Sequence, residues 1–157
     1  MLILPKRKSS KGSYGSYFKL NRSKGVKVLR GSFKSIIAAM NSRKMEAAIQ
    51  ERDYLNKAYN SHDPISPYCH GVTLIQSGSN IRIGIVMQHL GEMTLRNCVL
   101  NEDEKDEIIE SLEHMLLERG IDHRDLHEDN VMIKDGKYYA IDFSPDYITL
   151  EDIEDAA

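Results

Sequence analysis

Apolar and polar positions alternate strand-fashion over residues 14–20 and 26–30, with the turn formers Asn21, Ser23 and Gly25 between them, so the chain predicts an early β-hairpin. The period then lengthens. From Ser35 to Tyr59 the residues Met45, Ala48, Leu55 and Ala58 recur at helical spacing until Asp63, Pro64 and Pro67 break the pattern, which predicts one long amphipathic helix. Residues 72–76 and 81–87 flank the polar turn 77–80 and predict a second strand pair, for a sheet of about four strands.

Beyond Gly91 the pattern changes again. Asn101 followed by Glu104 forms a capping box, and acids crowd the first turn that follows. Ile108, Ile109, Leu112, Met115 and Leu116 make the expected buried stripe of a helix that ends at Arg119 and Gly120. Residues 131–133 and 138–141 surround Asp135-Gly136, the pair best suited to a tight hairpin turn. Thr149 to Asp155 predicts a last acidic helical turn.

Composition narrows the class. The 157 residues are 41% hydrophobic and 29% charged, enough for one modest core. The longest apolar run, Ile36 to Met40, is too short for a membrane span, and the opening Met1 to Leu4 reaches Pro5 too soon for a signal peptide, so a cytoplasmic protein is expected. Cys69 and Cys98 stand far apart in no metal or redox spacing and are read as reduced thiols. The net charge of −3 conceals a dipole: 12 Lys and Arg and no acid through Met45, then 19 Asp and Glu against 5 Lys and Arg from Asn101 onward. A basic front half attracts polyphosphate, nucleic acid or an acidic partner, or is simply a solvated face. Few aromatics interleave with those charges, chiefly Tyr14, Tyr17 and Phe18, which argues against nucleic acid.

The most specific segment is His123-Arg124-Asp125-Leu126-His127-Glu128-Asp129-Asn130, followed after the hairpin by Asp142-Phe143-Ser144. It resembles the HRD catalytic loop with its downstream Asn and the DFG segment of the protein-kinase-like superfamily. Phosphoryl transfer to a hydroxyl requires a carboxylate at the acceptor oxygen and a divalent cation at the phosphates. The resemblance therefore implies that Asp125 orients or deprotonates the acceptor, while Asn130 and Asp142 hold Mg2+. Read without it, Asp125, Asp129 and Asp142 are surface acids in an acid-rich half.

Residues 10–17, Ser-Lys-Gly-Ser-Tyr-Gly-Ser-Tyr, resemble the kinase glycine-rich loop with its first glycine replaced by Ser10; Gly12 and Gly15 would admit ATP phosphates beneath Tyr14. Taken alone they mark a flexible turn. Gly25-Val26-Lys27-Val28-Leu29 resembles the strand bearing the phosphate-binding lysine. Alternation sets Lys27 on the face opposite Val26 and Val28. Glu51 shares the apolar stripe of the long helix and is the candidate partner for Lys27, with Glu46 as runner-up. Met87 resembles the residue that gates the adenine pocket, and Gln88, His89 and Leu90 resemble the hinge whose backbone meets the adenine edge. A core strand end is the plain alternative.

The fold class expected is thus α+β: a protein-kinase-like N-lobe of antiparallel sheet plus one long helix over residues 1–90, with a truncated, mainly helical C-lobe over 91–157. Only 15 residues follow Asp142, which leaves no room for an activation loop and places the chain near small bacterial effector or phage kinases; an effector would act in a host cytoplasm. The Asp-x-His-x-x-Asn spacing through His127 resembles aminoglycoside and choline kinases and atypical protein kinases, so the acceptor is either a protein Ser or Thr or a small hydroxylated molecule. His123 and His127 also raise a transition-metal pair. Arg124 has no activation loop to read and is expected to bind a local acid or a partner, and Ser144 replaces a flexible glycine. A bare face on the helix after residue 101 predicts a partner protein or a homodimer. The function expected is Mg-ATP-dependent phosphotransfer to a hydroxyl; the alternative is a non-catalytic kinase-like module that acts by binding a partner.

Overall fold

The computed structural model describes residues 1–4, 10–11, 15–60 and 62–143. Gly12, Tyr14 and Ser144, and the acidic turn expected over residues 149–155, lie outside the described residues. Two compact units emerge: Met1–Arg52 with Cys69–His89, and residues 53–68 with 90–143.

The first unit is built on a six-stranded sheet of β1 (Leu2–Ile3), β2 (Ser10–Lys11), β3 (Gly15–Lys19), β4 (Lys24–Leu29), β5 (Cys69–Ser77) and β6 (Asn80–Gln88). The strand order is β1-β5-β6-β4-β3-β2, with β1 parallel to β5 and every other pair antiparallel. Two strands are thus added to the four expected. Both are two residues long and lie at the sheet edges, too short to carry an alternation signal.

Register sorts the side chains by face. Phe18, Val26, Val28 and Ile75 form a buried cluster on one side, packed with Leu2, Leu4, Leu20 and Val86. Tyr17, Lys27 and Ile85 are cross-strand partners and occupy the other. Gly84 lets the cluster close, because a Cβ there would lie 2.6 Å from Ile75 Cδ1 and 2.8 Å from Val26 Cγ2.

The single long helix expected over 35–59 is two helices, α1 (Ile36–Met40) and α2 (Arg43–Ala58). Ser42 divides them. Its hydroxyl donates to Ala39 O at 2.7 Å and accepts from Met45 N at 3.2 Å, closing one helix and opening the next. Met45, Ala48 and Glu51 are buried on α2 within the first unit.

In the second unit α3 (Glu102–Glu118) starts where the capping box places it, with Asn101 Oδ1 accepting from Glu104 N at 2.9 Å. It stops at Gly120, whose φ of 78° suits a left-handed glycine. The hairpin β7 (Val131–Lys134) and β8 (Lys137–Ala140) turns on Asp135 and Gly136, both at positive φ. Residues 93–95 run beside β7, through Leu95 N to Val131 O and Ile133 N to Met93 O, each 2.9 Å. Residues 53–68, expected within the first lobe, group with this unit, to which they bring buried apolar residues such as Leu55 and Ile65 as well as polar bonds. Arg119 donates to the Ala58 and Asp63 carbonyls, and Ala140 N donates to Ile65 O at 2.8 Å.

Candidate active site

Lys27 stands mid-strand on the sheet face opposite the Val26 and Val28 cluster. Glu51 lies on α2 three residues beyond the buried Ala48, so the helical stripe turns its carboxylate toward the sheet. Lys27 Nζ meets both Glu51 oxygens, at 2.9 and 3.0 Å. The side chains are 12% and 4% exposed. Glu46, the runner-up, is exposed.

Met87, His89 and Leu90 are buried, and Gln88 closes β6. Met87 is the cross-strand partner of Gly25. The His89 N–H donates to Ser23 O at 2.9 Å, so that hinge donor is already engaged within the sheet. Tyr17, which ends the glycine-rich segment and is given no role at the site by the motifs, crosses to this end of the sheet. Its Oη lies 2.8 Å from His89 Nδ1, with the two rings stacked at 5.8 Å. Burial pushes its phenol up to about 12. Gly15 begins β3, where a Cβ would meet Val28 O at 2.1 Å.

In the second unit the loop before β7 is fixed through its backbone. His123 is buried against Phe143, ring centroids 4.9 Å apart, and its Nε2 lies 2.7 Å from Ile141 O. A carbonyl only accepts, so Nε2 carries the hydrogen and Nδ1 is left to accept from Asp125 N at 3.3 Å. Burial lowers the His123 pKa and favours this neutral form. Asn130 Nδ2 donates to Asp125 O at 2.9 Å and lies 3.2 Å from His127 Nε2. The Asp125 backbone is thus held at both ends while its side chain is 59% exposed. Arg124 and Asp142 adopt left-handed backbone, φ 64° and 56°, which non-glycine residues take up only at a cost of about 1–2 kcal/mol each.

Two basic residues that motif reading missed brace this loop. Arg96 pairs with Asp129 and lies 3.6 Å from Glu128. Lys105 is buried on α3, donates to Arg96 O at 3.2 Å and reaches Glu128 at 4.0 Å. The signal for Lys105 was present: it stands four residues before Ile109 and seven before Leu112, on the apolar stripe. Arg124 pairs locally with Asp122 at 3.3 Å.

The donor set fits Mg2+. Asp125 O must face an N–H, which orients the Asn130 amide and leaves Oδ1 as its acceptor. The bond from Ile141 N to Asn130 O extends the β7–β8 ladder and sets Asp142 just beyond Asn130. One amide oxygen and one carboxylate suit a hard cation that keeps water and phosphate as its other ligands. A transition-metal pair does not fit, since both His123 nitrogens serve the backbone, and among the described residues no group of three His, Cys, Asp or Glu converges for a metal.

A sheet lysine paired to a helix glutamate, and an HRD-type loop leading into a hairpin that ends in aspartate, define a kinase-like domain. The family comparison makes this specific: the model for the RIO domain matches residues 17–152, and the chain belongs to that family, within the atypical protein-kinase-like superfamily. No curated protein matches the chain. Among the described residues no helix is long and apolar enough to cross a membrane.

Proposed function

We propose that the chain is a Mg-ATP-dependent phosphotransferase that moves the terminal phosphate of ATP to a hydroxyl, most simply a serine or threonine of a protein. The observation that carries this reading is the buried, two-pronged Lys27–Glu51 pair. Burying two charges gains little stability over packed apolar side chains, so an ion pair here is better explained by work than by folding. Glu51 holds the ammonium in place for phosphate oxygens. Membership in a kinase-like family supports the same assignment.

In this reading Asn130 and Asp142 supply the protein oxygens for Mg2+, which when bound neutralises phosphate charge. Asp125 points its exposed carboxylate at the acceptor and takes the hydroxyl proton as the oxygen attacks phosphorus. His127 Nε2, 3.8 Å from Asp125 Oδ1, steadies that carboxylate.

The test is incubation of the purified chain with γ-labelled ATP and Mg2+, alone and with a generic protein acceptor, the label being located by mass spectrometry. Transfer to Ser or Thr that disappears in both Lys27→Ala and Asp142→Ala is expected. Undiminished transfer in those variants, or none from the unaltered chain, overturns the proposal and leaves a kinase-like module that acts by binding.

A further inference from the structure

The strand end at which the nucleotide reading puts the base is occupied by a side chain of the protein. Tyr17 faces the same side of the sheet as Lys27, its cross-strand partner, yet its ring leans away along β4 over Gly25. The fit is close enough that a Cβ on Gly25 would lie 1.8 Å from Tyr17 Oη and 2.2 Å from Cζ. The absence of a side chain at Gly25 makes the slot that the phenol fills. Gly25 pairs in register with Met87, the residue assigned beside the base. His89 completes the arrangement, stacked on the phenol at an interplanar angle of 17° and in hydrogen-bond contact with its hydroxyl at 2.8 Å.

Resting on the proposed function, we infer that Tyr17 is the residue that controls entry of the base at this site: held by His89, its ring takes the place of the nucleobase, so the site grips a ligand by its phosphates and admits a base only when Tyr17 leaves. Two observations support displacement rather than stacking of a base onto the ring. The phenol lies against the strand surface itself, leaving no gap at Gly25 for a base to enter beneath it. The His89 N–H, assigned to the base edge, already donates to Ser23 O. The elevated phenol pKa, near 12, reports the same enclosure.

A ligand that must expel the ring forfeits its hydrogen bond and its stacking, a penalty of about tenfold in affinity. Calorimetric titration of the full chain with Mg-ATP and with Mg-tripolyphosphate tests this. In the unaltered protein the two should bind within about threefold of one another, because the base adds little. Tyr17→Ala should tighten ATP about tenfold and leave tripolyphosphate unmoved, with Tyr17→Phe between them. ATP binding that is unchanged or weaker in Tyr17→Ala, with tripolyphosphate still bound, overturns the inference and makes Tyr17 a platform for the base. Failure of the unaltered chain to bind either ligand removes the nucleotide reading and this inference together. A measurement without the alanine variant guards against misfolding: with tyrosine labelled at Cζ, the Tyr17 resonance, assigned through Tyr17→Phe, should move toward that of an exposed tyrosine when ATP is saturating and stay in place with tripolyphosphate. An unmoved resonance at ATP saturation counts against displacement.

Discussion

Removing one partner of the Lys27–Glu51 pair should cost far more than removing both. In Glu51→Ala the ammonium loses two contacts of 2.9 and 3.0 Å at a position where only 12% of the side chain reaches solvent. Breaking a buried pair by removing one member costs about 3–5 kcal/mol, and the residual exposure of Lys27 puts this variant near the lower end. Lys27→Met takes the lysine from a carboxylate that is 4% exposed, so it belongs toward the upper end. The double variant Lys27→Met/Glu51→Leu replaces the pair with apolar groups of similar volume and should regain most of the loss. Urea unfolding measures all three. With a slope of about 2 kcal/mol per molar, a 3 kcal/mol loss moves the midpoint by about 1.5 M. The double variant should unfold near the unaltered chain yet transfer no phosphate, which separates folding from function. Single losses under about 1 kcal/mol that sum in the double variant would mean a solvated surface pair and refute the reasoning.

Three further outcomes follow from the geometry. Gly84→Ala forces a Cβ against Ile75 and Val26 and should destabilise the chain by about 1–3 kcal/mol, read from the same urea curves; a neutral result would contradict the tight closure of the first unit's cluster. Asn101→Ala removes the side-chain acceptor for Glu104 N and should cost about 1 kcal/mol in chemical unfolding, with Asn101→Ser close to unaltered. His123 is held neutral by burial, so its pKa is lower folded than unfolded, and the unfolded chain takes up the proton first as pH falls. Its contribution is full above the unfolded value of 6.5 and is lost as pH drops below it. Between about pH 7.5 and about pH 5 the unaltered chain should therefore lose more stability than His123→Gln, and parallel losses would argue against this histidine.

What was legible in the sequence was mostly local. The Asn101–Glu104 box and the Asp135-Gly136 turn involve neighbours in the chain, and each appears where those residues place it. The opposition of Lys27 to its valines was readable for the same reason, since alternation is enforced by the pleat. Glu51 lay within reach because one helical stripe turns every stripe residue toward a common neighbour. The break at Ser42 was hidden: periodicity runs through it, and only the hydroxyl's two backbone bonds reveal that it ends one helix and begins another. The Tyr17–His89 contact joins residues 72 apart, and no local pattern encodes it. Lys105 was overlooked because a lysine on an apolar stripe is read as a solvated edge until its carbonyl partner is seen.

The polar groups inside the second unit share a design that explains why the Asp125 carboxylate remains outside. His123, Asn130 and Lys105 are buried, and each spends a donor on a backbone carbonyl: Ile141 O, Asp125 O and Arg96 O. Burying neutral or singly charged donors against carbonyls satisfies the loop without burying the Asp125 carboxylate, whose desolvation would be far more costly. The loop is therefore held from within by its main chain, and the Asp125 carboxylate is left in solvent at a fixed position. The left-handed backbone at Arg124 and Asp142 fits the same scheme, for such conformations persist only where surrounding bonds over-determine the chain. Rigidity of the frame and exposure of the acid are thus two consequences of one hydrogen-bond pattern.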